Sequence, residues 1–325
     1  MIQIGTMKLE SKKRVQGMLH VENHDLELPV CAICGGKEGP LVLITAGIHG
    51  AEYIGIQTAR ELSKELHPEE ISGTIVFLLV ANPQAAFTYT RLFVPEDGKN
   101  LNRAFPGKKD GSLSEKIAYT IEHELHSQAD YYIDLHAGDT HEQVMPFVYY
   151  PGVAKEEVME KSSRMAEATG MEIRVKSSAT SGSYSYAAIE GVPSILIERG
   201  GGGSFTREQL DSYKQNVVNV LSCLGVINVG QETQKENSQM EIINAVYTDS
   251  LAEGFWHPAK LPGERFLKGD LLGTVEDVWG TPLQQCHADF DGIVLYETTA
   301  MGVREGDSLI AYGNAASCHN TPNEL

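Results

Sequence analysis

Almost purely apolar runs alternate with helix-like segments through the first two thirds of the chain. Residues 41–46 and 74–80 are such runs, and this pattern is typical of strands buried on both faces of a sheet. Residues 51–66 lie between them and carry Ile54, Thr58 and Leu62 four residues apart, as an amphipathic helix does. Strands that alternate with helices predict an α/β fold with a mixed, mostly parallel sheet between helical layers.

The same alternation continues to about residue 225. Further strands are predicted at 131–136, 147–150 and 194–198, and further helices at 112–125, 156–169 and 206–224. Two helix starts carry a capping box, formed by Ser112 with Glu115 and by Thr206 with Gln209. Residues 87–109 lack a clear period and contain several Pro and Gly residues, which favours a long functional loop.

The pattern changes after Gly225. Residues 230–240 are polar and predict a linker, and the chain beyond them shows only short β-type runs between glycines. The segments 267–272 and 303–310 repeat a Gly-Asp pair before a strand, which favours a small barrel-sandwich-like all-β domain. We therefore expect a first domain at 1–229, a linker at 230–240, a β domain at 241–315 and a disordered tail at 316–325.

Composition narrows the classes of partner. The formal charge of -18 repels phosphate backbones and anionic lipid, so we expect neither nucleic acid nor a membrane as partner. No apolar run reaches the roughly 18 residues of a membrane helix, and residues 1–13 hold no signal-peptide core, so we expect a cytoplasmic protein. Five scattered cysteines predict free thiols, and a redox or metal role for Cys31 and Cys34 is the minor alternative.

Two predicted strands end beside histidine. His49 and Glu52 form an H-x-x-E between the strand 41–46 and the following helix, and His136 ends the strand 131–136. The carboxyl ends of parallel strands meet at one edge of a sheet, where ligands bind. Two histidines and one glutamate are a known ligand set for catalytic zinc, with one position left open for water. Asp134 lies two residues before His136 on the same side of the strand and is a candidate to orient a ligand imidazole. The alternative is that the motif is accidental and the histidines only cap turns.

A third strand end carries a carboxylate. Glu198 follows the run 194–197 and precedes four glycines, so it is our candidate for the general base that takes a proton from water. The alternative is an exposed glutamate beside a glycine-rich turn. In the loop 87–109, Arg91 and Arg103 are candidates for binding a substrate carboxylate or a developing oxyanion, against the alternative of solvated surface charge. The apolar neighbours of Arg103 favour a partly buried setting for it.

Five motifs occur in a fixed order along residues 41–224. They are H-G-x-E, A-N-P, N-L-N-R-x-F-P, D-L-H-x-G and a strand-end E-x-G. In this order they resemble the succinylglutamate desuccinylase/aspartoacylase family of the zinc carboxypeptidase-like clan. The C-terminal segment is similar to that of bacterial N-acyl-diaminobutyrate deacetylase-type members.

The resemblance implies a carboxypeptidase-like α/β/α sandwich that hydrolyses a small anionic N-acyl amino acid with one zinc ion per chain. It implies that His49, Glu52 and His136 bind the zinc and that Glu198 is the base. Arg91 matches the arginine that polarises the scissile carbonyl.

The resemblance also assigns Asn102 and Arg103 to binding of the substrate carboxylate. Two alternatives stay open: a metallocarboxypeptidase that acts on peptides, and a non-catalytic small-molecule-binding relative. Homo-oligomerisation is compatible with the sequence but is not indicated by it.

Overall fold

The computed structural model describes residues 3–90, 92–228 and 239–314. Six α-helices lie in these ranges: α1 Tyr53–Glu65, α2 Pro83–Thr88, α3 Leu113–Glu124, α4 Glu156–Ala168, α5 Ser183–Ile189 and α6 Arg207–Cys223. The first ten strands are β1 Gln3–Ile4, β2 Met7–Lys8, β3 Lys13–His20, β4 Glu27–Cys34, β5 Lys37–Ala46, β6 Ser72–Leu78, β7 Tyr131–His136, β8 Glu142–Pro151, β9 Ile173–Ser177 and β10 Ser194–Gly201. The others are β11 Met240–Ile242, β12 Ala245–Asp249, β13 Gly254–Pro258, β14 Arg265–Phe266, β15 Leu271–Glu276, β16 Pro282–His287, β17 Gly292–Thr298, β18 Gly302–Val303 and β19 Ser308–Asn314.

A 13-stranded mixed sheet forms the centre of the molecule. Its main path runs β12-β19-β17-β8-β10-β7-β5-β6-β4-β3, and β9, β11 and β14 pair off this path. The four central strands β10, β7, β5 and β6 are parallel to one another, while β8 and β4 flank them in antiparallel orientation. The carboxyl ends of the four parallel strands therefore meet at one edge, as the sequence predicts.

Helices cover both faces of this sheet. Ile133 and Leu135 of β7 pack with residues of α1, α4 and α6 on one face. Tyr132, one position out of phase, packs with residues of α3 and α5 on the other. Because side chains alternate along a strand, the odd and even positions of β7 face different helical layers. The predicted α/β/α sandwich is confirmed.

The C-terminal residues form an antiparallel all-β region that contains the predicted repeat. The Leu267 N–H donates to Asp270 Oδ2 at 3.0 Å, and the Arg304 N–H donates to Asp307 Oδ2 at 2.9 Å. Both turns place a glycine in the left-handed region, with φ of 89° at Gly269 and 84° at Gly306. Each copy of the Gly-Asp motif therefore builds the same turn immediately before a strand.

The strands of this region belong to two different sheets. The strands β13, β15, β16 and β18 form a four-stranded sheet of their own. In contrast, β17 pairs with β8, so that β12, β19 and β17 extend the central sheet. Residues 230–238 of the predicted linker and the predicted tail lie outside the described residues, so the domain boundaries remain a prediction.

Two further observations bear on the sequence expectations. No helix in the described ranges is long and apolar enough to cross a membrane. The four cysteines in these ranges are free, and Cys31 and Cys34 are buried on β4, where burial raises the pKa of both thiols. A raised thiol pKa lowers the thiolate fraction, which disfavours a reactive or metal-binding role for the pair.

Glu297 lies where the C-terminal strands meet the central sheet. It sits on β17 opposite Gln143 of β8, it is only 4% exposed, and its Oε2 has no hydrogen-bond partner. Burial, with a smaller contribution from Glu264, raises the pKa of its carboxyl from 4.5 to about 7. The folded protein therefore retains a proton on Glu297 through a pH range in which the unfolded chain has lost it.

We expect Glu297→Gln to stabilise the protein at pH 8 but not at pH 4.5. The native carboxylate destabilises the fold as pH rises from 4.5 to 7, and at 1.36 kcal/mol per pH unit the gain in the variant is about 3 kcal/mol. Urea unfolding at both pH values measures it. Glu305→Gln, at an exposed position of the same region, is the control and should show no pH-dependent difference.

Candidate metal centre and active site

His49 and Glu52 lie in the turn between β5 and α1. The strand ends at Ala46 and the helix begins at Tyr53, so Glu52 is the N-cap residue of α1 and not part of its first turn, where the sequence placed it. Its Oε1 lies 2.7 Å from His49 Nδ1. A carboxylate at this helix end also benefits from the partial positive charge of the helix N-terminus.

His136, the last residue of β7, brings a second imidazole to the same carboxylate. Its Nδ1 lies 3.0 Å from Glu52 Oε2, so the two Glu52 oxygens each approach one histidine. The two rings lie edge to face with centroids 5.0 Å apart. Ligand atoms of His49, Glu52 and His136 all lie within 4.8 Å of one another, and the three side chains are almost fully buried. The structure thus brings together the three residues predicted to hold a metal.

The outward nitrogen of each histidine meets an oxygen. His49 Nε2 lies 3.1 Å from Asn100 Oδ1, and His136 Nε2 lies 3.2 Å from Asp134 Oδ2. Such outer partners fix the ring orientation and leave the other nitrogen, here Nδ1 in both histidines, available to a metal ion. The sequence predicted this role for Asp134 but did not identify Asn100.

Charges within the cluster depend strongly on one another. Burial alone raises the pKa of the Glu52 carboxyl, but His136 and His49 outweigh this effect and lower that pKa to about 2. Burial alone lowers the pKa of His136, but Glu52 and Asp134 raise it well above its usual value. The buried Glu52 carboxylate thus requires positive charge beside it. A divalent cation supplies the same charge, so this donor set fits one.

Buried polar atoms without a hydrogen-bond partner also indicate that this cluster fits a divalent cation. Glu52 Oε2 and His136 Nε2 are buried and make no hydrogen bond, although both lie near ionisable partners. Buried polar atoms in folded proteins are almost always hydrogen-bonded, and exceptions call for an explanation such as a bound ion. These residues therefore fit a metal ion chemically and electrostatically.

Glu198 stands beside the cluster on the neighbouring strand. It is in register with His136 across the parallel pair β10–β7, and its buried Oε2 has no hydrogen-bond partner. Burial raises the pKa of its carboxyl well above the usual value, and the acidic neighbours Glu52, Glu142 and Asp134 add to the effect, which His136 opposes. The strand does not end here as predicted, because β10 continues to Gly201 with a register irregularity between Glu198 and Gly200.

The structure describes two of the three candidate residues in the loop 87–109, namely Asn102 and Arg103. Asn102 is 7% exposed, and its Oδ1 accepts a hydrogen bond of 2.8 Å from the Ser183 N–H at the start of α5. Arg103 is exposed, in contrast to the partly buried setting that its apolar neighbours suggested, and its Nη1 donates to the Asn102 carbonyl at 3.0 Å. Arg91 lies outside the described residues, so its predicted role remains an expectation from the sequence.

A buried chain of hydroxyl groups supports Asp134, and sequence reasoning missed it. Thr45 Oγ1 donates to Asp134 Oδ1 at 2.5 Å and lies 2.6 Å from the Tyr132 hydroxyl, which lies 2.6 Å from Ser183 Oγ. The Ser183 N–H also donates to Asn102 Oδ1, so a hydrogen-bonded path connects Asp134, which lies 3.2 Å from His136 Nε2, with Asn102 of the loop 87–109. The helix α5 that carries Ser183 has only seven residues and no clear period, so its pattern gave no signal.

A glycine follows each of the two histidines closely, Gly50 after His49 and Gly138 after His136, and close backbone packing explains both. A Cβ on Gly50 would lie 2.4 Å from backbone atoms of Ala85 and Ala86, which belong to α2. A Cβ on Gly138 would lie 2.5 Å from the Glu142 carbonyl oxygen. Since real Cβ atoms do not approach this closely, only glycine lets the turn after each histidine pack against the neighbouring backbone.

Comparison with known proteins agrees with this geometry. Residues 38–224 match the family model of the succinylglutamate desuccinylase/aspartoacylase catalytic domain. This match covers more than half of the chain. The chain belongs to the succinylglutamate desuccinylase/aspartoacylase family. The names in this family denote removal of an acyl group, so the chain is a deacylase by family.

Several named relatives extend over both the α/β part and the C-terminal region. N-alpha-acetyl-L-2,4-diaminobutyric acid deacetylase from Halomonas elongata is 29% identical over 87% of this chain and 84% of its own length. The product-bound structure of the ectoine utilization protein EutE (DoeB) from Ruegeria pomeroyi has a TM-score of 0.84 and 26% identity over 95% of this chain and 98% of that one. An aspartoacylase family protein from Mesorhizobium loti has a TM-score of 0.80 and 29% identity over 96% and 98%.

We expect Thr45→Val to lower the free energy of unfolding by about 1–3 kcal/mol, because it leaves the buried Asp134 Oδ1 without the hydroxyl that donates to it. Urea denaturation measures the loss. Thr58→Val is the matched control, since Thr58 is also fully buried but its hydroxyl has no hydrogen-bond partner. Equal effects of the two substitutions would show that the hydroxyl chain contributes nothing to stability.

Proposed function

We propose that this chain is a zinc-dependent hydrolase that cleaves the amide bond of a small anionic N-acyl amino acid. The observation that carries the proposal is the position of the Glu52 carboxylate between Nδ1 of His49 and Nδ1 of His136, with Glu198 in register beside them. Nitrogen and carboxylate donors in this combination are typical of catalytic zinc. The bound ion would polarise the scissile carbonyl and lower the pKa of a coordinated water.

In this proposal Glu198 takes the proton of the attacking water through its carboxylate. It then returns that proton to the leaving nitrogen as the amide bond breaks, so the same residue acts first as base and then as acid. Its raised pKa favours the second role, because the protonated form persists to higher pH. The absence of a hydrogen-bond partner for its buried Oε2 leaves that atom free for such a transfer.

The substrate loop supplies the remaining interactions. The exposed Arg103 guanidinium has hydrogen atoms free beyond its bond to the Asn102 carbonyl and can bind the carboxylate of the amino-acid part. A local cation is needed there, because the overall charge of -18 repels an anionic substrate. Asn102 holds the loop against α5 through Oδ1, and its amide group remains available to the substrate. Arg91 is proposed to stabilise the oxyanion on the family resemblance alone.

The substrate class follows from the named relatives. The deacetylase from Halomonas elongata acts, by its name, on an N-acetylated diamino acid, and the similarity covers most of both chains. We therefore propose N-acetyl amino acids with a short side chain as the first substrates to test. A cytoplasmic location agrees with free cysteines in the described ranges.

His136→Ala should abolish tight zinc binding, since it removes one of three protein ligands. The affinity should fall by more than the roughly 10–100-fold that loss of an outer partner costs. Competition with a chromophoric chelator measures this loss without any need for activity. His20→Ala, at an exposed position of β3, is the control. Unchanged zinc affinity in His136→Ala would contradict the proposed metal centre.

Glu198→Gln should lower kcat by roughly 10²–10⁴-fold while zinc stays bound, because the amide cannot accept the proton. Turnover is measured with zinc-loaded protein on N-acetyl and N-succinyl amino acids and on short peptides. Glu208→Gln, an exposed change on α6, should remain active. If the wild type hydrolyses only the peptides, the carboxypeptidase alternative is favoured. If it hydrolyses none of these compounds, the alternative of a non-catalytic binding protein is favoured.

A further inference from the structure

The C-terminal strands reach the catalytic end of the sheet through β8. This strand lies between β17 and β10, the strand that carries Glu198. Tyr149 of β8 is opposite Leu196 of β10, two positions before Glu198. Because side chains two apart share one face of a sheet, Tyr149 projects on the same face as Glu198.

Tyr247, on the first long strand of the C-terminal extension, meets Tyr149 there. The two hydroxyl oxygens lie 2.9 Å apart, and the Tyr247 ring lies 6.3 Å from that of Tyr296. Tyr247 is 52% exposed, whereas Tyr149 is half-buried. Within the described residues, the Tyr247 hydroxyl pairs with that of Tyr149, and about half of the Tyr247 side chain is exposed to solvent.

Two charged groups of the proposed active site, Glu198 and Arg103, shift the pKa of the Tyr247 phenol. Burial raises the pKa of Tyr247, the hydrogen bond with Tyr149 lowers it, the Glu198 carboxylate raises it and the Arg103 guanidinium lowers it. Tyr247 also contributes to the raised pKa of Tyr184, in the first turn of α5. Tyr247 thus lies within electrostatic reach of the proposed base and of the proposed carboxylate-binding arginine.

We propose that Tyr247 is a substrate-binding residue that the C-terminal β-region contributes to the active site. Its hydroxyl donates a hydrogen bond to the substrate carboxylate bound by Arg103, and Tyr149 is a positioning residue that holds the phenol by donating to its oxygen. The ligand class is the carboxylate of an N-acyl amino acid, so this inference rests on the proposed function. A phenol suits the position because it adds a donor and avoids a second charge between Arg103 and Glu198.

Tyr247→Phe tests the inference, because it keeps the ring and removes only the hydroxyl. We expect kcat/KM for an N-acetyl amino acid to fall by about 10-fold or more, mainly through KM, as for loss of a hydrogen bond to a charged group. Tyr296→Phe is the matched control, since Tyr296 belongs to the same tyrosine cluster but its hydroxyl pairs with Ser308 Oγ at 2.9 Å. It should leave both constants unchanged.

The role of Tyr149 is tested by a double-mutant cycle. Tyr149→Phe should cost less than Tyr247→Phe, and the double variant should be no worse than Tyr247→Phe alone, because Tyr149 acts only through Tyr247. Strictly additive losses would instead indicate that Tyr149 contacts the substrate itself and would overturn its positioning role. Wild-type kcat/KM in Tyr247→Phe, or equal losses in Tyr296→Phe, would overturn the main inference.

A binding measurement distinguishes failure of this inference from failure of the proposed function. Calorimetric titration of the zinc-loaded wild type and the Phe variants with L-2,4-diaminobutyrate measures carboxylate binding without turnover. If the wild type hydrolyses no N-acyl amino acid but binds this amino acid, the proposed function fails, while weaker binding in Tyr247→Phe than in Tyr296→Phe still supports the inference. If the wild type neither hydrolyses nor binds any of them, the inference fails with the function.

Discussion

Burial of the Glu52 carboxylate between two imidazoles is the interaction on which the rest of the site depends. A buried carboxylate without compensation costs several kcal/mol, so its charge must be matched nearby. His49 and His136 provide that match at 2.7 and 3.0 Å. Both histidines are in turn held by oxygens of Asn100 and Asp134. The cluster is therefore a buried carboxylate with two imidazoles beside it, a donor set that fits a metal ion.

The sheet makes this arrangement possible. Parallel pairing of β5, β7 and β10 aligns their carboxyl ends, so residues far apart in sequence arrive at one edge with side chains on one face. Asp134 accepts a hydrogen bond from Thr45, the first member of the hydroxyl chain that runs through Tyr132 to Ser183. Because the same chain ends at Asn102, the metal centre and the substrate loop share one support.

The sequence predicts the architecture well where a pattern is both local and long. The apolar run at β5, the capping box of Thr206 with Gln209 and the repeated turn at Gly269 and Gly306 each involve a few neighbouring residues, and the structure contains all three. Long-range contacts leave no such trace. The Asn100 contact to His49 joins residues 51 positions apart. The exposure of Arg103 was also misjudged, because apolar neighbours in a loop do not determine which way a long cationic side chain extends.

The C-terminal region illustrates the same limit at the level of domains. Its composition indicates a separate β module, but pairing of β17 with β8 and of β11 with β9 makes five of its strands (β11, β12, β14, β17 and β19) part of the central sheet. An added strand beside β8 stabilises the strand that flanks Glu198 and brings Tyr247 towards it. A module attached only by a flexible linker could not hold a phenol 2.9 Å from Tyr149 of the first part of the chain. The shared sheet is therefore the physical reason why Tyr247 of the C-terminal region stays beside Tyr149 of β8.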